Sequence, residues 1–195
     1  MNSRLVELLA EIHKQGLEHD ARESDHARKM LNLEPDTARL VRILARASGA
    51  TRVLEIGTSS GYSTIWFASA VPANGGLVVT IDRSAEKQSM ARENLRRAGL
   101  LDRVEMRLGE AGAVMRGLEG PFDLVFLDAD RKNGPEHLKA LLPKLTPKAL
   151  LLADNALSHP EEMAGYLKAV SNLEGFDHVL VPIGKGLSVA YRGSL

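Results

Sequence analysis

Three side chains with hard oxygen donors directly follow two apolar stretches of the sequence. Asp128 comes after the run Leu124-Val-Phe-Leu127, and Asp154-Asn155 come after the run Ala149-Leu-Leu-Leu-Ala153. Two carboxylates and an amide oxygen form a donor set that suits Mg²⁺, Mn²⁺ or Ca²⁺ rather than a softer metal. Three protein ligands leave coordination positions free, and adjacent hydroxyl groups of a substrate could chelate the ion there. Such a cation would lower the pKa of a hydroxyl and fix its oxygen for transfer chemistry.

Helix capping is the competing interpretation of these aspartates. Predicted helices near 135–142 and 160–172 follow the two apolar runs, and aspartate is a favoured residue at a helix N-terminus. Asp130 could also cap a helix, or it could support the ion indirectly by contacting one of its ligands. The six histidines form no cluster with ligand spacing, and we expect most of them to lie on the surface.

A glycine-bearing turn earlier in the sequence predicts a nucleoside site. Gly57 and Gly61 follow the first predicted strand and allow a ligand to approach the backbone at the start of a helix, although glycines alone could serve only the turn. Asp82 ends the next strand, where a carboxylate can accept hydrogen bonds from the two hydroxyls of a ribose. The turn matches neither the dinucleotide nor the phosphate-loop motif. A ligand with a ribose but no pyrophosphate therefore fits best, which favours S-adenosylmethionine over NAD or ATP.

The periodicity of apolar residues predicts the elements that position these side chains. Residues 3–20 and a segment that starts at Pro35 and ends before Gly49 are predicted helices. Strands and helices then alternate, and Gly184-Lys-Gly186 is typical of a hairpin between the last two strands. The predicted strands are 52–56, 77–81, 104–108, 123–127, 149–153, 178–183 and 187–192. The later predicted helices are one through Trp66 and Ala70 and three near 84–98, 135–142 and 160–172.

This order of elements predicts an α/β protein with a doubly wound, mostly parallel seven-stranded sheet and a C-terminal antiparallel hairpin. We expect one domain, residues 1–195, with N-terminal helices in 1–50 and a Rossmann-like core in 51–195. Ligands of such sheets bind beyond the carboxyl ends of the strands. The candidate residues all follow strand ends, so the fold should gather them on one rim of the sheet.

Composition limits the classes of function. The 195 residues contain no cysteine, which excludes disulfides, zinc–thiolate centres and thiol nucleophiles. The 25 basic and 25 acidic residues give no whole-protein field that would attract nucleic acid or an anionic membrane. No apolar run approaches the ~18 residues of a membrane span. Acidic residues interrupt the first apolar stretch, which argues against a signal peptide, and we expect a cytoplasmic protein without a membrane partner.

Five short motifs occur in an order that resembles a known family. They are VLEIGTSSGYST, TID, LGEA, FLDAD and LLLADN, within a region of about residues 30–192. Together they resemble the cation-dependent O-methyltransferases, the family of catechol and caffeoyl-CoA O-methyltransferases and their small bacterial relatives. The resemblance implies the class I S-adenosylmethionine-dependent methyltransferase fold and a homodimer.

The resemblance also implies roles for single residues. For the cofactor S-adenosylmethionine, it places Glu55, Gly57 and Gly61 along the methionine part, with Ser63 near the carboxylate and Asp82 on the ribose hydroxyls. Bordering the adenine are Gly109, Glu110 and Ala111, and Asp128 also lies against the cofactor. The divalent cation, Mg²⁺ or alternatively Mn²⁺ or Ca²⁺, is held by Asp128, Asp154 and Asn155.

Asp128 and Arg131 are the candidate catalytic residues. Related enzymes usually carry a lysine, a candidate general base, where this chain has Arg131. Arginine stays protonated in proteins, so this side chain would steady a phenolate rather than take up a proton. Activation of the acceptor hydroxyl by the cation would then suffice, and no protein base would be needed.

Three functions remain open on the sequence alone. The first is cation-dependent methylation of a catechol-like small molecule with adjacent hydroxyls. The second is methylation of a hydroxylated wobble uridine in tRNA, which a basic surface drawn from Arg28, Lys29, Arg131, Lys132 and Lys185 would favour. The third is a module that binds S-adenosylmethionine without turnover, and the complete set of cation ligands argues against it.

Overall fold

In the described part of the chain, the strands form a single seven-stranded sheet in the order β3-β2-β1-β4-β5-β7-β6. The computed structural model describes residues 1–193. β1 to β5 run parallel to one another, whereas β7 runs antiparallel to both β5 and β6. The predicted doubly wound sheet with a C-terminal hairpin is therefore confirmed. The strands are β1 Arg52–Ile56, β2 Leu77–Asp82, β3 Val104–Leu108, β4 Phe122–Leu127, β5 Leu145–Ala153, β6 Phe176–Val181 and β7 Leu187–Arg192.

Seven α-helices within residues 1–193 connect or flank the strands. Pro35 begins α2, and Gly99, with φ +67°, ends α4, as their residue types predict. The short helix α5 was not predicted, because its seven residues include two glycines and too few apolar positions to show a helical period. The helices are α1 Ser3–Arg22, α2 Pro35–Ala47, α3 Tyr62–Ala68, α4 Ala85–Ala98, α5 Ala111–Gly117, α6 Gly134–Leu141 and α7 Pro160–Ser171.

Helices cover both faces of the sheet, which explains the continuous apolar runs of the central strands. Successive residues of β1 point to opposite faces, so Val53 belongs to one apolar cluster and Leu54 to the other. Side chains of α1 and α2, such as Ile12 and Val41, pack into the same cluster as Val53. With both faces occupied, polar side chains gather at the ends of the strands.

A membrane-spanning helix is not part of residues 1–193, since no helix there is both long and apolar enough.

Candidate functional site

The candidate residues lie side by side because the backbone just beyond each of these parallel strands hydrogen-bonds to the end of the neighbouring strand. The Asp128 amide donates a hydrogen bond to the Ile56 carbonyl at 2.9 Å. The Asp154 amide likewise donates to Leu127 at 3.0 Å, and the Gly57 amide donates to Ile81 at 2.9 Å. The residues that follow β1, β4 and β5 thus form one continuous rim.

The two glycines of the turn after β1 have conformations and neighbours that exclude larger residues. Gly57 has φ +109°, and a Cβ there would lie 3.3 Å from the carbonyl oxygen of Asp128. Gly61 has φ +79° at the start of α3, and a Cβ there would lie 3.0 Å from the Cβ of Ala91 in α4. The left-handed backbone conformation and tight packing therefore explain both glycines without a ligand, and their contact with a cofactor stays a prediction.

Asp82 is held in an orientation suited to a ribose. One carboxylate oxygen accepts a hydrogen bond from the Ser59 amide and the other from the Ser84 amide, both at 2.9 Å. The side chain is only partly buried at the end of β2. Because each carboxylate oxygen has two lone pairs, the group can still accept hydrogen bonds from two hydroxyls. The geometry is consistent with the predicted ribose site.

Glu55 is completely buried and is surrounded by hydroxyl groups of the chain itself. Its carboxyl group accepts hydrogen bonds from Ser63 and Thr80, both at 2.6 Å, and from Thr64. Burial raises the pKa of the Glu55 carboxyl to about 7, although these hydroxyls and their hydrogen bonds oppose the rise. Glu55 thus orients the first turn of α3, which carries Ser63. Direct contact of Glu55 or Ser63 with the cofactor stays a prediction.

The raised pKa of Glu55 predicts a specific dependence of stability on pH. Between the ordinary value of 4.5 and about 7, the unfolded chain has lost this proton while the folded chain keeps it. Stability therefore falls as pH rises through this window, by about 2 kcal/mol from pH 5 to pH 6.5. We expect the unfolding free energy of Glu55→Gln, measured with urea at several pH values, to lack this part of its dependence on pH. The exposed control Glu161→Gln should keep it. Equal slopes in the two variants would contradict the assignment.

The three residues predicted to border the adenine lie beside Asp82 on the same rim. Gly109 donates its amide hydrogen to the Asp82 carbonyl at 3.0 Å, immediately after β3. Glu110 is exposed at the N-cap of α5, and Ala111 begins that helix. The structure thus brings them next to the proposed ribose site, and adenine binding itself stays a prediction.

Asp128, Asp154 and Asn155 form one polar cluster, in which Asp154 and Asn155 are buried and Asp128 is partly buried. The Asn155 side-chain amide donates a hydrogen bond to Asp128 Oδ1 at 2.9 Å. Asn155 has φ +67°, a conformation that asparagine tolerates better than most residues. Asp154 is only 2% exposed, and its Oδ1 has no hydrogen-bond partner among residues 1–193. A buried carboxylate oxygen without a partner is costly unless something else binds it.

Electrostatics makes the same cluster a good fit for a cation. Burial raises the pKa of Asp154 to about 6, and the charge of Glu34 adds to the effect. Burial also raises the pKa of Asp128 well above its ordinary value, and the neighbouring Asp154 raises it further. Two carboxyl groups that resist ionisation together are stabilised as carboxylates when a cation lies between them.

The donor set fits a hard divalent cation, with Asp128, Asp154 and Asn155 as the residues that would hold it. Within residues 1–193 there is no group of three or more His, Cys, Asp or Glu side chains that could hold a metal. The proposed set contains two carboxylates and one amide, so three protein ligands would leave sites for an acceptor.

The capping interpretation of the two aspartates is wrong. The helical turn after β4 begins at Arg131, with Asp130 at its N-cap position, and α7 begins at Pro160 with His159 at that position. Several residues separate Asp154 from α7. In the described chain, therefore, capping does not explain why Asp128 and Asp154 are acidic.

Arg131 lies at the edge of this cluster and is fixed by an ion pair that the sequence analysis missed. Its Nε donates a hydrogen bond to Glu162 Oε2 of α7 at 2.7 Å. The positive charge of Arg131 also lowers the pKa of Asp154, against the dominant effect of burial. Arg131 is therefore a fixed cation on the rim. Its contact with an acceptor stays a prediction.

A second ion pair that was missed also lies close enough to the cluster for its charges to act on Asp154. Lys185 Nζ, from the turn between β6 and β7, lies 3.0 Å from Glu34 Oε1 at the start of α2. Residues this far apart in sequence carry no spacing signal, so only the fold shows that they meet.

His137 is an exception to the expectation that most histidines lie on the surface. It is 3% exposed, and its Nε2 lies 3.2 Å from Asp130 Oδ2. It lines a cavity of about 10 Å³, enough for one water molecule, together with Arg131 and Tyr166. Burial lowers the pKa of His137, and Asp130 opposes this effect. His137 thus contacts the loop that carries Arg131 from its buried side and supports it there.

A family model described as O-methyltransferase matches residues 3–188. A catechol O-methyltransferase from Niastella koreensis is 36% identical over 131 residues, which cover 65% of this chain and 59% of that protein. A catechol O-methyltransferase from Mycobacterium tuberculosis is 42% identical over 116 residues, which cover 59% of this chain and 52% of that protein. The matched part thus spans between half and three-fifths of these relatives.

Solved structures match over nearly the whole chain. The O-methyltransferase from Bacillus cereus, in complex with SAH, has a TM-score of 0.82 and 26% identity, covering 95% of this chain and 90% of that one. The O-methyltransferase TomG from Streptomyces achromogenes, involved in tomaymycin synthesis and in complex with SAM, has a TM-score of 0.81 and 27% identity. The match to TomG covers 96% of this chain and 90% of that one.

Proposed function

Because this chain belongs to the O-methyltransferase family, we propose that it transfers a methyl group from S-adenosylmethionine to a hydroxyl of a catechol-like acceptor, with a divalent cation in the site. The observation that carries the proposal is the unpartnered buried oxygen of Asp154, beside Asp128 and Asn155 on the rim. The cation would supply Lewis acidity, lowering the pKa of an acceptor hydroxyl.

S-adenosylmethionine is the cofactor we propose for the rim formed after β1, β2 and β3. Asp82 would accept hydrogen bonds from the ribose hydroxyls, and Gly109, Glu110 and Ala111 would flank the adenine. Gly57 and Gly61 would border the methionine part, with Glu55 holding Ser63 in place. The SAH and SAM complexes of the similar structures support this proposal.

The proposed reaction is a direct displacement. The acceptor oxygen would lose its proton to solvent water and attack the methyl carbon; the new C–O bond would form as the S–C bond breaks, and S-adenosylhomocysteine would leave. Asp128 lies between the proposed cofactor rim and the cation ligands, so it would border both reactants. Arg131, held by Glu162, would steady negative charge on the acceptor and would not remove the proton.

The basic residues near the site give limited support to tRNA as the acceptor. Four of the five residues named for a basic surface are ion-paired: Arg28 with Glu23, Arg131 and Lys132 with Glu162, and Lys185 with Glu34. Paired charges contribute less to the field that attracts a phosphate backbone. We therefore propose that the acceptor is a small aromatic molecule. We also propose that the enzyme is a homodimer and that it acts in the cytoplasm.

Methyl transfer to matched acceptors tests the proposal. With S-adenosylmethionine and Mg²⁺, we expect catechol to react at least about ten-fold faster than phenol, because two adjacent hydroxyls can chelate and one cannot. A tRNA with hydroxylated wobble uridine is the third acceptor. Equal rates for catechol and phenol would contradict chelation, and methylation of the tRNA alone would favour the second function. Cofactor binding without methylation of any acceptor would favour the binding module.

A further inference from the structure

The turn between β6 and β7 is fastened to the segment that follows the proposed cation ligands. The Lys185 carbonyl accepts hydrogen bonds from the amides of Leu157 at 2.9 Å and Ser158 at 3.0 Å. The Gly186 carbonyl accepts another from the Ala156 amide at 2.9 Å. Because Ala156 directly follows Asn155, the backbone of Lys185 is fixed relative to the ligands.

Close packing also prevents this turn from moving away. Gly186 has φ +89°, and a Cβ there would lie 2.5 Å from the Cγ of Leu157. Gly184 has φ +53°, and a Cβ there would lie 2.4 Å from Thr37 Oγ1 in α2. The turn is therefore clamped between the start of α2 and the segment after Asn155, and the side chain of Lys185 can reach only a small region.

The charges in that region are the ammonium group of Lys185 and the carboxylates of Glu34, Asp128 and Asp154, with the Arg131 guanidinium at the edge of the acidic cluster. Lys185 is half-buried and pairs with Glu34 Oε1 at 3.0 Å, while Glu34 Oε2 is buried without a partner in the described chain. Burial opposes the charge of Lys185, but Glu34 and then Asp128 and Asp154 outweigh it and raise the pKa of the ammonium group. Lys185 is thus a fixed positive charge beside the acidic cluster.

We propose that Lys185 is a tethered counter-ion that sets the affinity of the acidic cluster for its divalent cation. In the metal-free protein, its charge offsets the repulsion among Asp128, Asp154 and Glu34. In the cation-loaded protein, the same charge repels the bound ion and weakens its binding. The inference rests on the proposed function, because it takes the cation to bind at Asp128, Asp154 and Asn155.

A purely structural role for Lys185 predicts something different. If the side chain only held Glu34 and the start of α2, its removal would lower stability equally with and without the cation, and cation affinity would stay the same or fall. A tethered counter-ion predicts tighter cation binding when its charge is removed, by about ten-fold for one charge at this range and intermediate screening.

Calorimetric titration of the full chain with Mn²⁺ tests the inference. We expect Lys185→Met to bind Mn²⁺ about ten-fold more tightly than the wild type, and Lys185→Arg to bind it with nearly wild-type affinity. Glu34→Gln should bind it more weakly, since that substitution removes a negative charge and leaves Lys185 unpaired. Lys168→Met, at an exposed position of α7, removes an equal charge away from the cluster and should change nothing.

Thermal unfolding provides a second readout. In EDTA, Lys185→Met should melt at a lower temperature than the wild type, and saturating Mn²⁺ should shrink or reverse the difference. Unchanged or weaker Mn²⁺ binding by Lys185→Met would overturn the inference. If that variant does not fold, wild-type or tighter binding by Glu34→Gln would overturn it instead.

The same titration separates this inference from the proposed cation site. Mn²⁺ binding that is lost in Asp154→Asn but unchanged in Lys185→Met would overturn the role of Lys185 alone. Failure of the wild type to bind Mn²⁺, or equal binding by Asp154→Asn, would overturn the cation site and this inference with it.

Discussion

Replacing Asp154 with asparagine is expected to lower the rate of methyl transfer about a thousand-fold while leaving cofactor affinity nearly unchanged. Asp154 is buried beside Asp128, and its unpartnered oxygen is the atom best placed to bind a cation. Loss of one anionic ligand weakens cation binding and removes several kcal/mol of charge stabilisation in the transition state, at about 1.4 kcal/mol for each factor of ten. Cofactor binding should persist because its proposed contacts follow β1, β2 and β3.

EDTA should reproduce the effect of this substitution in the wild type, and added Mg²⁺ or Mn²⁺ should reverse it. Asp177→Asn, at an exposed position of β6, is the matched control and should keep wild-type activity. The measurements are initial rates with catechol and calorimetric titration with S-adenosylhomocysteine. Full activity in excess EDTA, with metal-free protein confirmed by elemental analysis, would contradict the cation site.

Asp82→Ala is expected to weaken S-adenosylhomocysteine binding by up to about a hundred-fold. Two backbone amides hold the carboxylate in place, so it is oriented before the ribose arrives. Loss of charge-assisted hydrogen bonds to two hydroxyls costs about 1.5–3 kcal/mol each at most, and water recovers part of this cost. Calorimetric titration measures the change.

A control variant separates cofactor binding from general damage to the fold. Asp102→Ala removes an exposed carboxylate just before β3 and should bind the cofactor normally. Asp82→Ala also loses the acceptor of the Ser59 and Ser84 amides, so its folding is checked by circular dichroism at the titration temperature. Wild-type cofactor affinity in a folded Asp82→Ala protein would show that Asp82 does not bind the ribose.

Local sequence signals predicted most elements because each signal acts within a few residues. Pro35 and Gly99 mark a helix start and a helix end through their own backbone preferences. α5 gives no such signal, and its formation depends on packing, for example of the fully buried Met115. β5 begins at Leu145, earlier than predicted, and its pairing with β4 includes a register shift between Phe122 and Leu124.

The rim could be predicted because parallel strands bring their carboxyl ends to one edge, so Asp82, Asp128 and Asp154 had to lie on the same rim of the sheet. The ion pairs around the rim could not. Glu34 meets Lys185, and Glu162 meets Arg131, only through the packing of helices against the sheet. The capping interpretation failed because short turns, rather than helices, directly follow the two acidic residues.

The position of the hairpin in the sheet has a consequence for synthesis on the ribosome. β7 is made after β6, yet it pairs with β5 and separates β6 from the rest of the sheet. Until β7 has left the exit tunnel, β5 has one unpaired edge, and the segment after Asn155 lacks the carbonyl groups of Lys185 and Gly186. A nascent chain can therefore form the half of the rim proposed for the nucleoside early, while the half that carries the acidic pair becomes ordered only when the hairpin docks.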